Sequence, residues 1–137
     1  MMMKLKKPII TYDFDGVLHK SMNPIKPPAK SAGPISYTEW NKWVPFKEMH
    51  ECLKEDSKNS KIIIVTKRYK KHKPHVQKFI EKFNLPVLKI ICTNMKPKWP
   101  TLKKINSIKH YDDSSSVEKE LLNKPIAFIK INPYIGI

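Results

Sequence analysis

Residues 8–14 run Pro-Ile-Ile-Thr-Tyr-Asp-Phe, apolar almost without interruption until the first carboxylate. A run this short and this uniformly apolar fits a strand covered on both faces, as central parallel strands are. Lys61-Ile62-Ile63-Ile64-Val65-Thr66 repeats the pattern in β-branched residues. Strands of this kind need a layer of structure on each side, which excludes most all-β arrangements.

The intervening pattern supplies those layers. After Pro45, Phe46, Met49 and Leu53 fall at i, i+3 and i+7, and Pro45 suits the first turn of a helix. After Pro74, Val76, Phe79, Ile80 and Phe83 mark a second apolar helical face. A third strand is expected over 87–92 and a short helix from Pro100. A fourth strand is expected over 108–111, and a helix capped by Ser115 and Glu118 reaches Leu122. The last strand spans 126–131. Alternation of this kind predicts an α/β three-layer sandwich, a mainly parallel five-stranded sheet with right-handed crossovers and helices on both faces. The 137 residues suffice for one domain with one core. Residues 19–44 break the alternation with Pro24, Pro27, Pro28, Pro34 and Gly33, and read as a Pro-rich loop or small lid. Trp40 and Trp43 at its far end either plug the edge of the core or close over a site.

In a parallel sheet, ligands sit beyond the carboxyl ends of the strands where the winding reverses. The polar residues gather there: Asp13 and Asp15, then Thr66, then lysines around the short helix, then Asp112 and Asp113. Asp13 and Asp15 stand at i and i+2, so they share a face at the strand's end, and Gly16 permits a sharp turn beside them. Asp-x-Asp-Gly also occurs in calcium loops, but that register puts Met22 where a bidentate Glu is required. Two converging carboxylates call for a cation or a proton.

The chain carries 27 Lys and Arg against 12 Asp and Glu, a net charge of +15. Lysine enrichment alone does not explain so few acids, and a charge this large favours a polyanionic partner. Cys52 and Cys92 show no metal-binding spacing, no long apolar run marks a membrane span, and no signal-peptide pattern precedes the first strand. The expected setting is a reducing, intracellular one, cytoplasmic or nuclear, and the expected state a monomer.

The order of these features resembles the haloacid dehalogenase (HAD) superfamily of phosphohydrolases over nearly the whole chain. Its four motifs look like Asp13-Phe14-Asp15-Gly16-Val17-Leu18, Ile63-Ile64-Val65-Thr66, a lysine near the following helix, and Tyr111-Asp112-Asp113. The resemblance implies a HAD-like Rossmannoid fold with a minimal cap. It also implies that Asp13 is a nucleophile forming an aspartyl phosphate, and Asp15 the acid and then the base. Thr66 and a lysine would hold the phosphoryl oxygens, and Mg2+ would be bound by Asp13, Asp15, Asp112 and Asp113. Lys103 is the lysine chosen, on its spacing to Asp112-Asp113, with Lys98 and Lys104 as alternatives. The resemblance implies that members with the second Asp are phosphatases or phosphotransferases, and the expected activity is that of a phosphomonoester hydrolase.

With so little inserted as a cap, the site is expected to be open and to admit large substrates. Lys67, Arg68, Lys70, Lys71, Lys73, Lys96 and Lys98 would line its rim, interleaved with Tyr69 and Trp99. That combination suits phosphorylated RNA or DNA ends, as in the 3′-phosphatase parts of end-repair enzymes. Two alternatives stand beside it: a phosphatase for free nucleotides or small phosphorylated metabolites, and a non-catalytic basic nucleic-acid-binding module.

Overall fold

The computed structural model describes residues 6–20, 39–133 and 135. Five strands form one parallel sheet: β1 (Ile9–Tyr12), β4 (Lys61–Thr66), β5 (Lys89–Cys92), β6 (Ser107–Asp112) and β7 (Ala127–Lys130), in the order β5-β4-β1-β6-β7. β1 is central. It pairs with β4 from Ile9↔Lys61 to Tyr12↔Ile64, and with β6 from Ile10↔Lys109 to Tyr12↔Tyr111 after a register shift at Ile9/Ile10. The chain winds outward through β4 and β5, then crosses to β6 on the other side of β1. The winding therefore reverses at the carboxyl end of β1, where the first motif stands.

The two-residue alternation of β4 assigns its faces. Ile62 and Ile64 join Ile10, Tyr12, Met49, Leu53, Val76 and Phe79 in one core layer. Ile63 and Val65 join Leu102, Val117 and Leu121 in the other. The helices α1 (Lys47–Ser57) and α2 (Lys73–Lys82) thus cover one face, and α3 (Trp99–Lys104) and α4 (Ser115–Leu121) the other. The predicted α/β three-layer sandwich is the observed one.

Two helix starts differ from expectation. Pro45 is not in the first turn of α1 but in β3 (Val44–Pro45), an antiparallel partner of β2 (His19–Lys20). That small ribbon, with Phe46 N–H donating to Leu18 O at 3.1 Å, ties together the two ends of the Pro-rich segment. Its central residues 21–38 lie outside the described residues. At α4 the cap is Ser114, whose Oγ accepts from Val117 N–H at 3.3 Å. Asp112 Oδ1 takes the Ser114 N–H at 3.0 Å, so the chain turns out of β6 one residue before the expected Ser115–Glu118 box.

Trp43 is core: it is buried edge-on against Phe14, with ring centroids 5.4 Å apart, and lies over His19 and Phe79. Trp40 is partly buried against the same layer. Among the described residues no helix is long and apolar enough to cross a membrane.

Candidate active site

Asp13 follows β1, and its N–H donates to Tyr111 O at 2.9 Å, which holds it level with the end of β6. Asp112 ends β6 and Asp113 follows it. Asp13, Asp112 and Asp113 each present an oxygen within 4.8 Å of the others, the only such acidic group among the described residues. Three carboxylates this close repel one another, and burial removes the water that would screen them.

A lysine enters this corner, and it is Lys98. Its Nζ lies 2.9 Å from Asp13 Oδ1 and 2.6 Å from Asp112 Oδ2, with the side chain buried. The choice of Lys103 is therefore corrected. A crossover helix leaves the carboxyl end of one strand and runs back toward the amino end of the next. Only its start can face the site. Lys103 is five residues further on, about 7.5 Å along a helix axis, and it is exposed with Lys104 in the last turn of α3. Lys98 is fixed at its backbone as well: Glu120 of α4 accepts Lys98 N–H at 3.2 Å and Trp99 N–H at 3.0 Å, capping α3.

Asp112 is committed to the protein on both oxygens. Oδ2 also faces His110 Nε2 at 2.8 Å, and His110 Nδ1 faces Thr11 Oγ1 at 2.7 Å. A chain of polar groups thus runs through the sheet from Ser107 and Thr11 to Asp13. Burial alone would raise Asp112, but His110 and Lys98 hold it well below the usual carboxylate range. Burial pushes Asp113 up to about 6, with Asp112 beside it adding to the rise. Burial drives Asp13 well above the ordinary range; Lys98 pulls it back, and Asp112, Asp113 and Asp15 add to the rise. With all three carboxylates ionised, one ammonium would leave two negative charges uncompensated in this corner, and the raised pKa values of Asp13 and Asp113 reflect how costly that state is without a further cation. That deficit matches a divalent cation, and all-oxygen donors suit a hard one such as Mg2+. Asp13 and Asp113 are the carboxylates available to it.

Asp15 lies apart from that cluster. Its side chain is 42% exposed and is gripped by Arg68, Nε to Oδ2 at 2.9 Å and Nη2 to Oδ1 at 2.7 Å, with His19 Nε2 on Oδ1 at 2.8 Å. Burial opposes its charge, but His19 and Arg68 hold it well below the usual range. Thr66 is buried at the end of β4, and its Oγ1 accepts Arg68 N–H at 3.3 Å. Gly16 has φ +76°, and a Cβ there would run into the Asp113 carboxylate. The glycine is needed for the turn and for the contact alike.

Two residues expected on the basic rim are not there. Arg68 is buried, its guanidinium 4.5 Å from the Trp43 ring and paired with Asp15. Lys98 is inside the site. Trp99 packs partly buried with the layer under α3, so it does not interleave with the rim either. Lys70, Lys71, Lys73 and Lys96 are exposed and Lys67 is partly so.

No family model and no curated protein matches this sequence. Solved structures do. A chain in the structure of the Pnkp1/Rnl/Hen1 RNA repair complex superposes with a TM-score of 0.67 over 92% of this chain, at 16% identity. A second structure of the Pnkp1/Rnl/Hen1 complex gives 0.66 over 94%, also at 16% identity. The fold is shared with a chain of an RNA repair complex. This chain spans 43% and 47% of the length of those two chains, less than half of each.

Proposed function

We propose that this protein is a divalent-cation-dependent phosphatase of the HAD type, working through an aspartyl phosphate on phosphorylated nucleic-acid ends. The observation that carries the chemistry is the doubly negative pocket around Asp13, with Lys98 as its one internal counter-charge. Support for the substrate class is the +15 net charge, the exposed lysines of residues 67–73 and 96, and the fold shared with a chain of an RNA repair complex.

Mg2+ held by Asp13 and Asp113 would neutralise the charge that otherwise keeps a phosphate dianion away from a carboxylate. The chain's own residues do the rest. Asp13 Oδ bonds to phosphorus as the ester P–O bond breaks. Lys98, already on Asp13, and the Thr66 hydroxyl at the end of β4 would steady the phosphoryl oxygens. Asp15 gives a proton to the leaving oxygen and then removes one from the water that cleaves the aspartyl phosphate. The second step needs Asp15 as a carboxylate, the form Arg68 and His19 favour. The first needs that grip relaxed, and an incoming phosphate dianion competes for the same guanidinium. Asp112 acts at one remove, orienting Lys98.

The test is phosphate release from a 3′-phosphorylated single-stranded oligonucleotide, with and without Mg2+, for the wild type and Asp13→Asn. Metal-dependent release abolished by the substitution is the expected result. If Asp13→Asn turns over as the wild type does, the mechanism is wrong. Release from an aryl phosphate but not from the oligonucleotide would keep the mechanism and discard the substrate class.

A further inference from the structure

β4 and β5 remain tied to each other beyond their regular register. Thr93 N–H donates to Thr66 O at 2.8 Å, Asn94 N–H to Arg68 O at 3.2 Å, and Met95 N–H to Lys67 O at 2.7 Å. Lys70 N–H donates to Asn94 Oδ1 at 2.8 Å. The second loop also closes on itself, Lys96 N–H to Thr93 O at 3.1 Å and Thr93 Oγ1 to Lys96 O at 2.8 Å. Residues 67–70 and 93–96 are thereby laced into one ledge at the rim of the site, anchored inward by the Arg68 guanidinium on Asp15.

The outer surface of the ledge bears two large apolar side chains in water, Tyr69 at 49% exposure and Met95 at 60%. Asn94 and Met95 both have left-handed backbones, φ +55° and +67°. That conformation is uncommon for methionine and is held here by the lacing bonds. Burial cannot account for it, because the side chain it projects is not buried.

Lys67, Lys70, Lys71, Lys73 and Lys96 belong to the same two segments, 67–73 and 93–96, and Lys71 Nζ lies 5.8 Å from the centre of the Tyr69 ring. Between Asp56 and Asp112 the sequence has a single acidic residue, Glu81. The ledge therefore presents ammonium groups with almost no acidic neighbours in its own stretch of chain. An apolar protein face would leave the lysines unmatched, and an acidic peptide offers nothing systematic to Tyr69 and Met95. A single nucleic-acid strand supplies both phosphates and bases with exposed π-faces.

We propose that residues 67–73 and 93–96 form the docking surface for a single strand of nucleic acid leading away from the phosphorylated end, with Tyr69 and Met95 receiving the bases next to it. The placement of the phosphorylated end rests on the phosphatase reading of the adjacent site; the surface itself does not. The strand meets a preformed ledge, and its phosphates are tracked by Lys70, Lys71 and Lys96.

Fluorescence anisotropy tests this with a labelled, 3′-phosphorylated short single strand, in an Asp13→Asn background so that the phosphate persists. Tyr69→Ala combined with Met95→Asn, the latter chosen because Asn tolerates a left-handed backbone, is expected to weaken binding about tenfold. Inorganic polyphosphate, a polyanion without bases, should lose far less. Lys70→Ala with Lys71→Ala should reduce the slope of log affinity against log salt by about 0.7 for each phosphate contact removed. An unchanged oligonucleotide affinity in the Tyr69/Met95 variant overturns the proposal, as does equal weakening for both polyanions. Circular dichroism of each variant excludes misfolding as the cause. If the wild type cleaves no phosphate ester and the Tyr69/Met95 variant still loses the oligonucleotide selectively, the phosphatase reading fails and the docking surface stands. Cleavage of esters by the wild type without that selective loss sinks the docking surface alone.

Discussion

Arg68 closes on Asp15 with two roughly parallel N–H bonds, 2.9 and 2.7 Å long, while its guanidinium lies against the Trp43 ring. The sole arginine of the chain is spent inside the protein and not on its basic surface. A lysine can supply the charge but not the fork or the flat stacking surface. Arg68→Lys is therefore expected to cost about 2 kcal/mol of stability and to lower phosphate release, measured by chemical denaturation and steady-state assay. Because the carboxylate is held below its ordinary pKa, the stability it contributes is complete above about pH 4. It is lost as pH falls from there, and the variant should lose less over the same range.

Lys98 and Lys103 should respond in opposite ways to the same kind of change. Lys98→Met leaves Asp13 and Asp112 buried without their cation, a defect of about 3 kcal/mol, and should abolish phosphate release. Millimolar Mg2+ should restore part of the lost thermal stability, since the uncompensated carboxylates bind it. Lys103→Ala, at an exposed position, should move the unfolding free energy by no more than about 0.5 kcal/mol and leave activity intact.

Gly16→Ala makes a second, separable demand. The left-handed backbone costs roughly 1 kcal/mol for a residue with a Cβ, and that Cβ displaces the Asp113 carboxylate. The expected signature is a smaller rise in melting temperature on adding Mg2+, because weaker binding to the native state yields less linked stability. An undiminished Mg2+ shift would separate Asp113 from cation binding.

His50 sets a pH dependence remote from the site. Its ring is buried, which holds its pKa below the ordinary value even though Nε2–H donates to Leu18 O at 2.6 Å, a bond that favours the charged form. The unfolded chain takes up the proton first as pH falls, so this contribution is complete above about pH 6.5 and is lost on acidification. His50→Gln keeps an N–H for Leu18 without a titrating ring. Its stability should fall less between pH 7 and pH 5 than that of the wild type.

The order of strands and helices was legible because β1 and β4 are apolar on both faces and their neighbours are apolar on one. The choice of lysine was not, since spacing to Asp112 says nothing about which end of α3 meets the strand ends. Topology does say it, through the direction of a crossover helix. His110 carried a signal that the motif reading passed over: two residues before Asp112 in the same strand, it shares that residue's face. Arg68 was hidden in a run of lysines, where charge alone does not reveal which side chain turns inward. Glu120 reaches Lys98 from α4, twenty-two residues on, and only the folded chain brings it there; His19 stands four residues after Asp15, but nothing in a segment without a period shows that its ring folds back onto that carboxylate.

The two basic residues that balance the candidate site hang from opposite layers of the sheet. Arg68 is backed by Trp43, Phe14 and the broad layer beneath α1 and α2. Lys98 hangs from α3, six residues long, seated beside the seven-residue α4 on a smaller apolar layer. Short helices on a thin layer open locally at less free energy than the fold as a whole. Amide protection in α3 should thus be lost before that in α2. Gentle heating would release the ammonium from its carboxylates while the Trp43 environment stays native, so in a Trp99→Phe background, which removes the tryptophan of α3 itself, inactivation would precede the unfolding seen by tryptophan emission.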